Sequence, residues 1–338
     1  MGLSGAGIEM VRFVVRRILL ITATLILVSI ISFLVIQAPP GDFVSSYVAR
    51  LEERGDTIDQ ELIQALEARY GVNEPIFIKY GKWIRNLFRG DLGMSFEWGQ
   101  PVKTLIAERL PYSLLISITS LVFVYLVSIP IGMLSAIKQY SAADYFFTFI
   151  AFVGLAIPNF LFALICLWVY FTKTGKAVVG LFSPEYLMSA WSFAKFLDLL
   201  KHLWIPALIV GTAGTAVMVR TMRANMLDEI TKPYVMVARA KGVPLIRLYF
   251  KYPFRIAINP VISTIGWTLP QLITGEVLVS LVLGIPTLAP ILLKSLVAQD
   301  MYLAGSIVFI LTILTLIGTL ISDILLGWID PRIRYSSL

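Results

Sequence analysis

Long apolar segments separated by polar ones dominate the sequence. Six of these segments could each form a membrane-spanning helix, which needs about 20 apolar residues to cross a hydrocarbon core of about 30 Å. They lie at 18–37, 113–136, 145–170, 204–219, 259–285 and 302–327. The pattern therefore predicts an all-α, polytopic membrane protein with six transmembrane helices.

The polar segment 38–112 is too long and too charged to be a simple turn between the first two spans. Apolar residues recur at helical spacing within 50–70, and a second short helix is predicted at 79–88. We therefore expect three parts: 1–37 as the N-terminus and first span, 38–112 as a small helical subdomain, and 113–338 as the membrane core with spans two to six.

Composition supports a membrane protein and narrows the chemistry. Hydrophobic residues make up 58% of the 338 positions and charged residues 14%, outside the usual range of soluble domains. Cys166 is the only cysteine and His202 the only histidine. The chain therefore has no intrachain disulfide, no zinc site built from Cys and His ligands and no HExxH metalloprotease helix.

The net charge of +7 is distributed unevenly over the polar segments. If the N-terminus is cytoplasmic, the cytoplasmic segments contain fourteen basic and five acidic residues, whereas the opposite side is neutral. Positive residues favour the cytoplasmic side, so we expect both termini there, in the cell membrane. Because topology accounts for the basic residues and no nucleic-acid-binding motif accompanies them, nucleic-acid binding is not predicted.

The cytoplasmic segment 220–258 has strong helix signals. A short helix is predicted from Tyr234 to Lys241, stopped by Gly242, and a second one from Leu245 to Lys251. We name residues 233–251 the knob. It could be a solvated basic loop, but its compact pattern and the small residues Ala238 and Ala240, where a partner could approach closely, favour a docking element.

The segment Tyr234–Gly242 resembles the cytoplasmic loop of ABC-importer permeases of the dipeptide/oligopeptide family. Further motifs match this family in order along nearly the whole chain. They are Arg16-Arg17, Pro40-Gly41-Asp42, Tyr70 to Pro75, Gly90 to Gly93 with Ser95, Pro101-Val102, Arg109-Leu110-Pro111, His202-Leu203, Pro206-Ala207, Asp300, Asp323 and Asp330-Pro331-Arg332.

The resemblance implies a translocation subunit that moves peptides inward by alternating access and is not itself an enzyme. Its implied partners are a second homologous permease, two ATPase subunits and an extracytoplasmic substrate-binding protein. No Walker A motif occurs in this chain, so no cofactor is expected here and the ATPase partners would bind MgATP. The residues implied to couple the knob to an ATPase are Tyr234, Ala238, Arg239, Ala240, Lys241 and Gly242.

Two departures from the family pattern leave the substrate open. Tyr252 and Ile256 replace a usual His and Asn, and Ser280 occupies the usual acidic position of the fifth span, before an altered turn that begins at Pro286. Glu276 lies four residues earlier, on the same helical face. Peptides remain the main expectation for the substrate, and oligosaccharides are the alternative.

Glu276 and Ser280 are the candidates for the translocation path. Acids inside a span are costly and usually face a pore or a partner, but Glu276 could instead form a structural hydrogen bond with a neighbouring helix or with the second permease, or line a vestibule. Asp323 and His202 are expected to have structural roles. A membrane-embedded enzyme or a passive channel would be alternative functions, although neither explains the capped knob.

Overall fold

The computed structural model describes residues 19–31, 74–175 and 180–329, together with positions 15, 33, 34, 44, 48, 63 and 64. Apart from one isolated bridge between Met94 and Pro101, the regular structure in these residues is helical. The helices are α1 Leu19–Ile31, α2 Ile76–Phe88, α3 Val102–Ile137, α4 Ala142–Ala156, α5 Asn159–Thr174, α6 Pro184–Leu187, α7 Phe193–Ile230, α8 Pro233–Ala240, α9 Leu245–Lys251, α10 Pro253–Ala257, α11 Asn259–Ser263, α12 Ile265–Gly275, α13 Val277–Leu283, α14 Leu288–Val297 and α15 Met301–Ile329.

The all-α membrane architecture is confirmed, whereas the count of six spans is not. Among the described residues, α3, α7 and α15 are each long and apolar enough to cross a membrane, and two bent helix pairs raise the number to five. Helix α1 is the described part of the first predicted span. The predicted helix at 50–70 lies almost wholly outside the described residues, and the helix predicted at 79–88 corresponds to α2.

The third predicted span, 145–170, is not one continuous helix. Helix α4 ends at Ala156, α5 begins at Asn159, and their axes differ by 102°. Pro158 causes the break because proline lacks a backbone N–H and disfavours helical geometry in the preceding residue. Ile157 accordingly has extended dihedral angles, with φ −82° and ψ 120°.

The fourth predicted span, 204–219, is the middle of a much longer helix. Helix α7 has 38 residues and includes Pro206 in its interior. At about 1.5 Å per residue it is about 57 Å long, well beyond the hydrocarbon thickness. The second predicted span is also extended, because α3 begins at Val102, eleven residues before the expected boundary at 113.

The chain forms two compact units. One contains the described residues of 112–286 and 314–329 and is organised around α7. The N-terminal half of α7 contributes Leu203 and Ile209 to one apolar core, and its C-terminal half contributes Met222 and Met226 to a second. The predicted separation of 38–112 from the membrane core stays a prediction.

The other unit contains the described residues of 19–111 and 287–313. Its apolar core joins the start of α3 to α14 and α15, which are about 190 residues later in the sequence. The buried members of this core are Val102, Leu105, Ile106, Leu288, Ile291, Leu303 and Ile307.

Candidate functional site

The knob consists of two short helices joined by a tight turn, as the sequence predicted. Helix α8 has Pro233 at its first turn, where the missing N–H costs no hydrogen bond. It ends at Ala240, and Gly242 follows with a φ of +76°, a conformation that glycine adopts without strain. Helix α9 then has the predicted bounds, Leu245–Lys251.

The knob has a small apolar core of its own. Val235, Ala238 and Leu248 are buried, and Val243 and Tyr252 pack against them. The interpretation of Ala238 as a residue that a partner could approach is therefore wrong, because its methyl group lies against α9 rather than on the outer surface. Ala240 is exposed and remains available to a partner.

The outer surface of the knob is apolar with a basic rim. Large side chains that would be buried in an isolated soluble domain are exposed here, including Ile246 with 78% of its surface accessible. The exposed apolar residues are Met236, Val237, Leu245, Ile246 and Phe250. Arg239, Lys241 and Arg247 are exposed beside them. Such a surface can dock into an apolar groove with an acidic border.

Tyr234 ties the knob to the end of α7. Its hydroxyl donates a hydrogen bond of 2.5 Å to the Glu229 carboxylate. Burial, together with this carboxylate, raises the pKa of Tyr234, so the hydroxyl keeps its proton at neutral pH. Only Thr231 and Lys232 separate α7 from α8. The knob is therefore joined closely to the longest of the described helices.

Glu276 and Ser280 lie together inside the unit, one helical turn apart. Glu276 has no accessible surface, Ser280 has 1%, and the Ser280 N–H donates to the Glu276 carbonyl at 2.7 Å. The Ser113 hydroxyl of α3 donates to the Glu276 Oε1 at 2.7 Å. The hydrogen bond to a neighbouring helix, one of the alternatives for Glu276, is thus present, and its contact with substrate stays a prediction.

An ion pair that the sequence did not reveal lies at one end of α4. The Arg223 guanidinium donates from Nε and Nη2 to the two Asp144 carboxylate oxygens, at 2.9 and 2.7 Å. Asp144 also accepts from the Tyr140 N–H at 3.0 Å. The sequence places both charges in polar segments between the spans, and because they are 79 positions apart it gives no sign that they are in contact.

His202 contacts its own helix, and the structural role expected for it stays a prediction. Its Nδ1 lies 2.8 Å from the Asp198 carbonyl oxygen, one turn earlier in α7. Asp198 in turn accepts hydrogen bonds from the Ser183 N–H and hydroxyl, both at 2.7 Å. Among the described residues, no three His, Cys, Asp or Glu side chains are grouped so that they could hold a metal ion.

Comparison with known proteins gives matches over nearly the whole chain. The family model described as "Binding-protein-dependent transport system inner membrane component" matches residues 128–335, and the model of the N-terminal part of such components matches residues 10–119.

Individual relatives cover the chain to the same extent. The oligopeptide transport system permease protein AppB of Bacillus subtilis is 36% identical, over 96% of this chain and all of the relative. The oligopeptide transport system permease protein OppB of Haemophilus influenzae is 28% identical with the same coverage. The dipeptide transport system permease protein DppB of Escherichia coli is 28% identical, over 96% of this chain and 99% of the relative. The matches cover nearly the whole chain, and its described residues form a helical, multi-pass architecture, so the chain belongs to the family of binding-protein-dependent transport system inner membrane components, the permease subunits of ABC importers.

Proposed function

We propose that this permease subunit imports peptides by alternating access, driven by ATPase subunits that bind its knob. The observation that carries the proposal is the knob itself, a compact pair of helices with an internal core and an exposed apolar face. A solvated loop would need neither. The names of the relatives, which are oligopeptide and dipeptide permeases, support peptides as the cargo.

The connection between the knob and α7 suggests how a movement of the ATPase subunits reaches the membrane helices. An ATPase subunit that closes on MgATP would move the knob as one body, because Leu248 packs α9 against α8. The two-residue link passes this displacement to α7, which packs on α4, α5 and α10 to α13. Small movements of one packed helix favour one of two discrete arrangements of its neighbours, which is the basis of alternating access.

The proposed assembly contains this chain, a second homologous permease, two ATPase subunits and an extracytoplasmic binding protein. Both termini and the knob would lie in the cytoplasm, in accordance with the charge distribution. The nucleotide would be bound and hydrolysed by the ATPase partners. Residues of this chain transmit the movement and form the path, in which Glu276 and Ser280 would be exposed as the helices rearrange.

The test uses the complete complex reconstituted in lipid vesicles together with the cognate binding protein. We expect Ile246→Glu to lower both ATPase subunit retention and peptide-stimulated ATP hydrolysis, because it places a negative charge on the docking face. Met188→Glu is the matched control, since Met188 is 99% exposed but lies outside the knob. Normal stimulated hydrolysis in Ile246→Glu would contradict the coupling role.

The substrate is tested separately by calorimetry on the binding protein. We expect peptides of several lengths to bind and oligosaccharides not to bind. Binding of oligosaccharides alone would reject the peptide assignment while leaving the coupling role intact.

A further inference from the structure

Helices α4 and α7 enclose a groove that the proposed transport mechanism does not use. Its volume is about 290 Å³. The groove is lined by residues within 140–155 on one side and within 216–223 of α7 on the other, and these include Asp144, Phe152, Arg220 and Arg223. All of these residues belong to one compact unit.

Two contacts between the helices bound the groove. At one end, Gly154 lies so close to α7 that a Cβ atom there would be 2.7 Å from Thr212 Cγ2. At the other end, the Asp144–Arg223 ion pair joins the helices. The groove therefore has walls fixed both by packing and by charge, and it is part of the folded unit.

Polarity changes along the groove from one end to the other. The end near Asp144 carries charged and phenolic side chains, whereas Ala151, Phe152 and Leu155 make the other end apolar. Leu155 is eleven residues along α4 from Asp144, which corresponds to about 16 Å. An amphiphile with a polar head and a hydrocarbon chain matches this gradient, and a fully polar solute does not.

The charged end has one more positive than negative group. The Asp144 carboxylate neutralises Arg223, but Arg220 is exposed, and no carboxylate of the described residues forms an ion pair with it. Phe152, at 50% exposure, and Leu155, at 45%, leave the apolar end open at the surface of the unit. An accessible guanidinium next to an open apolar channel is the arrangement expected for an anionic lipid.

We propose that this groove binds an anionic phospholipid of the cytoplasmic leaflet. Its phosphate pairs with the Arg220 guanidinium, Tyr140 and Tyr145 lie at the headgroup level, and one acyl chain follows Ala151, Phe152 and Leu155. The placement in the cytoplasmic leaflet rests on the proposed orientation of the chain. The bound lipid fills the space between α4 and α7, so it stabilises the position of α7 next to the ion pair.

The experiment counts lipids retained by the complete complex, taken from nanodiscs of equal phosphatidylglycerol and phosphatidylcholine and measured by native mass spectrometry. The wild type is expected to retain phosphatidylglycerol preferentially. Arg220→Ala should lower this preference about fivefold, the effect of one basic side chain near a lipid surface. Arg255→Ala, which removes another exposed cytoplasmic arginine outside the groove, should leave the preference unchanged.

A second variant and two further measurements separate the lipid from other occupants. Ala151→Trp fills the apolar end without altering charge and should lower retention of both lipids. An equal preference for phosphatidylglycerol in Arg220→Ala and Arg255→Ala would overturn the proposal. Displacement of the lipid by inorganic phosphate would also overturn it, since the site would then be a simple anion site. Photoreactive benzoylphenylalanine in place of Phe152 should crosslink to lipid, and crosslinking to the second permease instead would reject a lipid site.

Discussion

The Ser95 hydroxyl donates a hydrogen bond of 2.5 Å to the Asp300 carboxylate, across 205 residues of sequence. Asp300 is fully buried and also accepts from the Glu97 N–H at 3.1 Å and the Leu303 N–H at 3.2 Å. It directly precedes α15 and satisfies one of the backbone N–H groups that every helix leaves free at its first turn. One carboxylate thus holds both the segment before α3 and the start of the last helix.

Replacement of Ser95 should destabilise the unit that contains it. Ser95→Ala removes a donor to the buried carboxylate and the acceptor of the Trp98 N–H, at a cost of about 1–3 kcal/mol. The measurement is amide hydrogen exchange of residues 94–107 and 288–307 in detergent as the temperature rises, which gives an unfolding midpoint for the unit that contains Ser95. Ser263→Ala, on an exposed helix face, is the control, and an equal midpoint in both variants would contradict the role of Ser95.

The free energy of unfolding should depend on pH through the titration of Asp300. Burial raises the pKa of Asp300 above its ordinary value of 3.8, although its hydrogen bonds act in the opposite direction. The folded state therefore holds this proton more tightly than the unfolded state. Its contribution to stability is complete below pH 3.8 and is lost as the pH rises through the folded pKa.

The variant Asp300→Asn removes this titration. Unfolding midpoints measured from pH 4 to pH 7 should decline less steeply with rising pH in Asp300→Asn than in the wild type. The variant should also be less stable at low pH, because the amide nitrogen cannot accept from the Glu97 N–H. Parallel pH profiles for the two proteins would contradict the raised pKa.

Leu248 should support the fold of the knob without touching a partner. Leu248→Ala leaves a cavity between α8 and α9, which costs about 2–5 kcal/mol for a buried leucine. Amide hydrogen exchange should therefore speed up in 233–251 and stay unchanged in α7. Ile246→Ala removes an exposed side chain. It should alter the free energy of opening, as obtained from hydrogen exchange, by no more than about 0.5 kcal/mol. Unchanged exchange in Leu248→Ala would show that the small core does not hold the knob together.

Ser113 and Glu276 should be energetically coupled if their hydrogen bond is structural. A double-mutant cycle with Ser113→Ala and Glu276→Gln should give a coupling free energy of about 0.5–3 kcal/mol in unfolding measurements. Peptide selectivity should be the same in Ser113→Ala as in the wild type. A change of selectivity without coupling would instead favour direct contact between Glu276 and the substrate.

The knob was predictable because its signals are local. Pro233 at a helix start and Gly242 after a helix end restrict their own backbone, so their positions in the sequence gave the helix bounds closely. The small size of Ala238 does not indicate exposure, because its side chain is buried in the core of the knob. The spacing of Val235 and Ala238, three residues apart on one helical face, indicates the buried side.

Hydrophobicity alone could not give the geometry of the spans. The run 145–170 is apolar throughout, so averaging over it hides Pro158, which bends the path by 102°. The length of α7 is missed for a different reason. Hydrophobicity marks only its apolar middle, whereas charged residues continue the helix at both ends. Long-range pairs such as Ser95 with Asp300 leave no local signal, although both residues were part of the recognised motifs.

The interleaving of residues 19–111 with 287–313 has a consequence for biosynthesis. The apolar face that Leu105 presents at the start of α3 is covered only when Leu303 and Ile307 have been made. At about 5–20 residues per second, translation of the intervening stretch takes roughly 10–40 s. During that time the growing chain exposes an unfinished core, so truncated products that end before α14 should be recognised by the membrane's quality-control proteases and degraded.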